Sequence, residues 1–424
     1  MVASIASIYS CCWCSVTLIV QKFGGSSLAT RERIRAVADR IHDSLSVGDR
    51  LAVVVSAMGD TTDDLTEAAG RISTRPPERE MDVLLSTGEL VSAALMSMTL
   101  NELGQDAVAL SGPQAGIRTD GRYGRARITE IIPARLLQEI EAGRVPVVAG
   151  FQGLGLDGDL VTLARGTSDT SAVAVAVALG ADKCEIYTDV EGIFTADPRI
   201  VSCAQKLDVI VYEEMLEMAK LGARVMHPRA VEIAEHFSLP VMVRSSFSDS
   251  VGTEIVEESA IQIETMQRVR AIAHDMDVAR VTVRGVSDRP GLAKAVFEPL
   301  AARHINIDVI VQNVSDGGTT DISFTVSEND LDVTLDLVKP IAAAIGAHDV
   351  VSSAQLGKVS IVGVGIQSTP GIAARMFGSL ASAGINIVSI TTSEIRITCL
   401  VDKDDVAQAA VALHTEFGLD EITG

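Results

Sequence analysis

Apolar positions along the first 246 residues follow two rhythms. Short runs rich in β-branched residues read as buried strands at Val16–Val20, Leu51–Ala57, Asp106–Ser111, Val145–Gly150, Lys183–Val190 and Val241–Ser246. Between them the spacing is that of amphipathic helices. Ile34, Val37, Ala38, Ile41 and Leu45 recur at intervals of 3, 1, 3 and 4. Helices are also predicted near Asp63–Arg71, Glu78–Leu103, Met215–Leu221 and Pro228–Phe237. Ser168–Leu179 is Ala/Val-rich and opens on Ser-Asp, a helix-start signal. Strands separated by helices predict a largely parallel sheet covered on both faces.

The rhythm breaks at residues 247–268, where Ser248, Asp249, Ser250, Gly252, Glu254, Glu257, Glu258 and Glu264 form a polar connection. A repeat follows: Arg289–Ile310 aligns with Thr369–Ile390 at an offset of 80. Ten of the 21 positions from Pro290 to Ile310 are identical, including the Pro-Gly pairs and the Ile-Asn-Ile triplets at 305–307 and 385–387. Leu292, Val296 and Leu300 mark one helical face, and further helices are expected near Leu331–Ala344 and Asp404–Phe417. Each copy reads strand–helix–strand–strand–helix–strand, a compact α+β module without a nucleophile–base pair, and so more naturally a binding module than an enzyme.

Composition narrows the picture. The chain has 424 residues, enough for two or three domains, with 47% hydrophobic and only 3% aromatic residues, so the core must be mostly aliphatic. A net charge of −21 argues against nucleic acid as the main partner. Cys11, Cys12 and Cys14 crowd the start, while Cys184, Cys203 and Cys399 are scattered, and no His-rich tract completes a metal site; reduced cytosolic thiols are the expectation. Residues 1–20 are uncharged, but they lack a basic leader and Val16 onward is needed as a core strand. Residues 1–15 therefore read as an extension, and a cytoplasmic protein without a membrane span is expected.

Five stretches carry candidate chemistry. In the first, Lys22 ends the opening strand and Gly24-Gly25 follow before a helix. That layout suits phosphate, through backbone amides and a point charge, although alone it is more often an ordinary strand end. In the second, Arg165-Gly166-Thr167 precede Ser168-Asp169 at a helix start, offering a guanidinium and amides to an anion; the bland reading is a helix cap. Ser56, Thr61 and Thr62 follow the second strand as possible donors, and Glu89 could bind an ammonium or simply face solvent. The fifth, Tyr187–Arg199, places Thr188 and Asp189 at a strand end, where open α/β sheets bind ligands. His227, at a helix start, is given no catalytic role.

Taken in order, KFGGSS, VVSAMGDTTD, STGE, AGFQG, RGTSDT, TDVEGIFTADPR and GARVMHPRA resemble the aspartate kinases of the amino-acid kinase family, and the Pro-Gly and Ile-Asn-Ile repeats resemble its two ACT domains. The match runs from about Leu18 to the C-terminus. The resemblance implies an α/β kinase domain over 16–250, three-layered with a mostly parallel sheet. A linker at 251–268 and ACT domains at 269–350 and 351–424 follow. It implies phosphorylation of the L-aspartate side chain to 4-phospho-L-aspartate by ATP with Mg²⁺, the first step towards lysine, threonine, methionine and isoleucine. Lys22 and Asp169 would be catalytic. Ser56, Thr62, Glu89, Phe151, Arg165, Gly166, Thr167 and Ser168 would contact substrate. Lys22, Phe23, Gly24, Gly25, Thr188, Asp189, Phe194, Asp197 and Arg199 would contact ATP. Effectors, lysine and threonine by the family's example, would meet Asp288, Pro290, Gly291, Asn306, Gln312 and Asn313 in one module and Asn386, Ser393 and Glu394 in the other. No protein metal ligands are expected. A homo-oligomer or an α2β2 assembly through the ACT domains is.

This sequence departs from the family's usual arginine turn, G-R-G-G-S-D, in having Ala164 and Thr167 for glycines. If Thr167 must take a positive φ, the strain is about 1–2 kcal/mol, and its bulk would sit beside the substrate. That leaves two rivals: a kinase of another acidic substrate, and a non-enzymatic amino-acid-binding subunit.

Overall fold

In the computed structural model, residues 17–223, 225–258, 268–287, 289–315 and 318–421 are described, with backbone alone at 313–315. Val16, Cys11, Cys12, Cys14, residues 1–15, the middle of the polar connection and Asp288 lie outside them, as does the Asn313 side chain. The described chain forms two compact units. One runs to Gly192 and resumes over Arg229–Glu257; the other holds Ile193–Pro228 and the residues from Glu258 onward.

The first unit contains β1 (Leu18–Phe23), α1 (Arg31–Ser46), β2 (Arg50–Val55), α2 (Thr61–Ile72), α3 (Glu78–Glu102), β3 (Ala107–Leu110), β4 (Ile117–Thr119), β5 (Ile128–Ile131), α4 (Ala134–Glu141), β6 (Val145–Ala149), β7 (Gln152–Leu154), β8 (Leu160–Thr162), α5 (Ser168–Leu179) and β9 (Lys183–Thr188). After β10 (Val209–Val211) and α6 (Tyr212–Lys220) of the second unit, α7 (Pro228–His236), β11 (Val241–Ser245) and β12 (Thr253–Val256) complete it. Its main sheet runs β12-β11-β9-β1-β2-β6-β3, parallel except for β11–β12. β1 lies mid-sheet and every residue of it is buried.

Strand alternation sends Ile19 and Phe23 of β1 to one face, where they pack with Ile34, Val37 and Ile41 of α1 and Ala93, Met96 and Leu100 of α3. Lys22 points to the other face, towards α5. α5 is buried nearly all round, which its small Ala and Val side chains permit. The three-layer α/β expectation is met. β1 runs three residues beyond Val20, to Phe23, so Lys22 lies inside the strand, one residue short of its end.

The sequence reading contained no counterpart to a second sheet, β5-β4-β7-β8. Its strands are three or four residues long, too short to display a period. Helix α3 is long and apolar enough by composition to cross a membrane. Here it packs against β3, β6 and β8, burying Asp82, Ser86, Glu89, Met96 and Leu100 on one face.

In the second unit lie β13 (Ala271–Ser287), α8 (Leu292–Ala302), β14 (Ile310–Ser315), β15 (Thr319–Val326), α9 (Leu331–Ala344), β16 (Asp349–Val362), α10 (Ile372–Ser382), β17 (Ser389–Thr392), β18 (Arg396–Asp402) and α11 (Val406–Glu416). One six-stranded sheet, β14-β15-β13-β16-β18-β17, serves both repeats. The Pro-Gly pairs have a physical reason: Gly291 and Gly371 cap α8 and α10 at φ 92° and 94°, a left-handed conformation that suits glycine. β13 and β16 are long because each serves two cores. Val281 and Val283 join Val296, Leu300, Val338 and Ala342 under α8 and α9. Ile272, from the same strand, joins Val359, Met376, Leu380, Ala409 and Leu413 under α10 and α11.

Candidate active site

The site begins where β1 ends. Lys22 Nζ lies 2.7 Å from Asp169 Oδ1 at the start of α5, with both side chains about nine-tenths buried. Gly24 donates its amide to Tyr187 O at the end of β9 (3.2 Å), while the Gly25 amide has no acceptor among the described residues. The glycines do not serve a positive φ: Gly25 sits at φ −60°. Close approach explains Gly25, since a Cβ there would stand 2.7 Å from Ala57 O. A short 3-10 turn, Ser26–Leu28, separates them from α1, which Thr30 caps by accepting from Arg33 N at 3.3 Å.

The arginine turn differs from expectation. Thr167 has φ −90° and carries no left-handed strain. It is fully buried, and its hydroxyl donates to Ala164 O (2.5 Å), folding the side chain under the turn instead of into the site. The strain sits at the other replaced glycine: Ala164 has φ 124°, and Gly166 has φ 81°. Phe151 is left-handed as well, at φ 64°, held by its amide donating to Ser171 Oγ (3.1 Å) and its carbonyl accepting from Leu163 N (2.9 Å). Ser168 is buried against Gly150, where a Cβ would come within 3.0 Å of its side chain. Arg165 is exposed and ion-paired with Asp63 of α2.

Glu89 is buried on α3, which removes the solvent-facing reading. Its Oε1 accepts from Ala57 N (3.1 Å) and its Oε2 has no hydrogen-bond partner. Burial pushes its carboxyl up to about 7, against the smaller opposing effect of the Ala57 amide. The loop it supports carries Ser56, whose amide donates to Phe23 O (3.1 Å). Thr62, Phe151 and Arg165 border a cavity of about 440 Å³ together with Asp82, Tyr123 and Arg125.

Three residues in this region escaped the sequence reading. Asp82 is buried and accepts from Gly124 N (2.9 and 3.0 Å), Thr162 N (3.0 Å) and Thr162 Oγ1 (2.5 Å), binding α3 to the small sheet. Tyr123 donates to Asp159 (2.8 Å), which Arg79 grips with two nitrogens. Arg229, from the GARVMHPRA run, donates to Leu163 O (3.1 Å) and Ala126 O (3.2 Å), bracing the strand that leads into the arginine turn. For Asp82 a signal existed: Asp82, Ser86, Glu89, Ala93, Met96 and Leu100 share one helical face.

Thr188 and Asp189 follow one another at the end of β9, joined by a 3.1 Å hydrogen bond. Phe194, Asp197 and Arg199 belong to the second unit. There Phe194 bridges Lys206, and Asp197 accepts from Arg199. Beside them Thr195 Oγ1 meets the buried His414 Nε2 at 2.9 Å. Of the proposed effector residues, Pro290 and Gly291 lie at the start of α8, Gln312 and Asn313 in edge strand β14, and exposed Asn306 and Asn386 in the Ile-Asn-Ile segments. Ser393 and Glu394 form the turn between β17 and β18, with Ser393 N donating to Arg396 O (2.9 Å).

Comparison with known proteins bears on the whole chain. Residues 17–245 match the amino acid kinase family, and residues 280–346 and 359–417 each match the ACT domain. The aspartokinase of Mycolicibacterium smegmatis is 48% identical over 408 residues, 95% of this chain and 97% of that protein. The solved structure of E. coli aspartokinase III in complex with aspartate and ADP (R-state) has a TM-score of 0.80 at 26% identity, covering 94% of this chain and 99% of that one. Its complex with lysine and aspartate (T-state) has a TM-score of 0.72 at 27% identity and the same coverage. Agreement of this extent, over nearly the whole of both chains, means that the chain belongs to the amino acid kinase family, among its aspartokinases with a pair of ACT domains.

Proposed function

We propose that the chain transfers the terminal phosphoryl group of ATP to the side-chain carboxylate of L-aspartate, giving 4-phospho-L-aspartate and ADP. The observation that carries this is the buried Lys22–Asp169 pair beside the Gly25 amide, at the C-terminal ends of parallel strands. A carboxylate nucleophile is already ionised at neutral pH, so no general base is needed. What remains is positioning and charge neutralisation. Lys22 and the Gly24–Gly25 backbone would face the transferring phosphoryl group, with Asp169 fixing the ammonium. Mg²⁺ would arrive on ATP and neutralise its phosphates. Arg165 would take the α-carboxylate and Glu89 the ammonium of the amino acid, aided by Ser56, Thr62, Phe151 and the Gly166–Ser168 turn. Thr188 and Asp189 are proposed for the nucleotide, and Phe194, Asp197 and Arg199 by motif alone.

Regulation by lysine and threonine through the ACT repeats is proposed on the same footing, supported by the lysine complex of the E. coli relative. Edge strands β14 and β17, with Ile310 and Ile390 exposed, favour pairing with a second copy or a separate ACT subunit. A cytoplasmic biosynthetic role fits this reading. The test is ADP release against aspartate, glutamate and N-acetylglutamate, with and without lysine and threonine. Aspartate should be preferred and the amino acids should slow it; preference for another acid would overturn the substrate. Lys22→Ala should abolish most turnover and also cost about 3–5 kcal/mol of stability, because Asp169 loses its buried counter-ion. An undiminished rate would remove Lys22 from the mechanism.

A further inference from the structure

Arg165 is already holding a carboxylate. Its NH2 nitrogen is paired with Oδ1 of Asp63, which lies in the first turn of α2. A guanidinium engages a carboxylate best through two parallel hydrogen bonds. Asp63 uses one nitrogen, and both side chains are well exposed, at 68% and 63%. Exposed single-point pairs of this kind are weak and exchange readily. The place matters as much as the strength. Arg165 borders the 440 Å³ cavity, and so do Thr62 and Thr66, which flank Asp63 in sequence on α2. The chain's own carboxylate therefore occupies the guanidinium at the rim of the cavity.

We propose that Asp63 is an internal stand-in for the substrate's α-carboxylate. It keeps Arg165 neutralised and aimed while the site is empty, and is displaced when the amino acid binds with two nitrogens. This rests on the reading of Arg165 as the substrate-carboxylate ligand. Two consequences follow. Asp63 raises KM for the amino acid without touching the transfer step, and substrate binding releases the first turn of α2. A residue that merely oriented Arg165 would act in the opposite direction, since its loss would weaken substrate binding.

The test is steady-state kinetics of the full chain with aspartate as the varied substrate, together with calorimetric aspartate binding in the absence of nucleotide. Asp63→Asn should lower KM and Kd roughly twofold to fivefold, the range an exposed pair commands, with kcat unchanged. Asp64→Asn removes a neighbouring first-turn charge that faces solvent, and should leave KM unaltered. Arg165→Ala should raise KM at least about tenfold. If Arg165→Ala leaves KM where it was, the reading of Arg165 fails and the stand-in fails with it. If Arg165→Ala raises KM but Asp63→Asn leaves it unchanged or raises it, the stand-in alone is wrong. A fall in KM shared equally by Asp64→Asn would assign the effect to helix charge and would also overturn it.

Discussion

Ala164 holds a backbone conformation, φ 124°, that residues with a Cβ rarely adopt. Replacing it by glycine should relieve strain beyond the extra freedom gained by the unfolded chain, a net gain of about 1 kcal/mol. For a unit of this size that is a rise of about 2–4 °C in Tm, read by thermal unfolding of the full chain; an unchanged Tm would show that the turn is not strained. The sequence marked both replaced glycines but could not say which carried the torsion, because torsion follows from the path between β8 and α5 and not from residue type. Glu89 yields a pH prediction. Its folded value, about 7, lies above the ordinary 4.5, so the native state holds the extra proton between these limits. Stability is therefore greatest below pH 4.5 on this account and falls as pH rises through 7. Glu89→Gln should be spared that fall, its Tm relative to the parent climbing from pH 5 to pH 8. An ammonium docked beside Glu89 favours the ionised form, so aspartate binding at pH 6 should release close to one proton, measured by calorimetry in buffers of different ionisation enthalpy. Zero release would remove Glu89 from the ammonium site.

Helix α3 shows what periodicity alone misreads. Its buried face is apolar in its C-terminal half, through Ala93, Met96 and Leu100, but polar in its N-terminal half, through Asp82, Ser86 and Glu89. Polar residues on a helix normally mean solvent; here they mean a carboxylate that receives Gly124 and Thr162 and another that receives Ala57. Asp82→Asn would turn an amide N–H₂ or a weaker acceptor towards these donors. It should cost about 1–3 kcal/mol and, by loosening the wall that carries Tyr123, raise KM for aspartate more than it lowers kcat. Equal loss in both would mean that the small sheet does not shape the binding cavity. Lys22, Arg165 and Asp169 were legible because chemistry and turn residues adjoin in short runs. Tyr123 and Arg229 were not, because their partners lie 36 and 66 residues away, and Asp82 was marked only by the helical face it shares with Glu89.

At the scale of the whole chain, the alternation of strands and helices and the repeat at an offset of 80 were enough to read both architectures. The allegiance of residues 193–228 was not visible, since it depends on contacts with distant positions. Ala196 and Val201 join the core with Met376, Leu380 and Leu413, and Glu214 Oε1 accepts from Val364 N at 3.0 Å. A chain ended near Ser246 should therefore be nicked by protease within 193–228 while the full chain resists; equal resistance would show that this segment is held without those partners. The same reasoning applies to the two long strands. Because Ala271–Asp275 pairs with Lys358–Val362 and Val281–Arg284 pairs with Asp349–Ser352, each repeat's long strand is the partner of the other's. A chain lacking either repeat would therefore carry a long strand with a bare edge, the kind of edge that invites association with another chain.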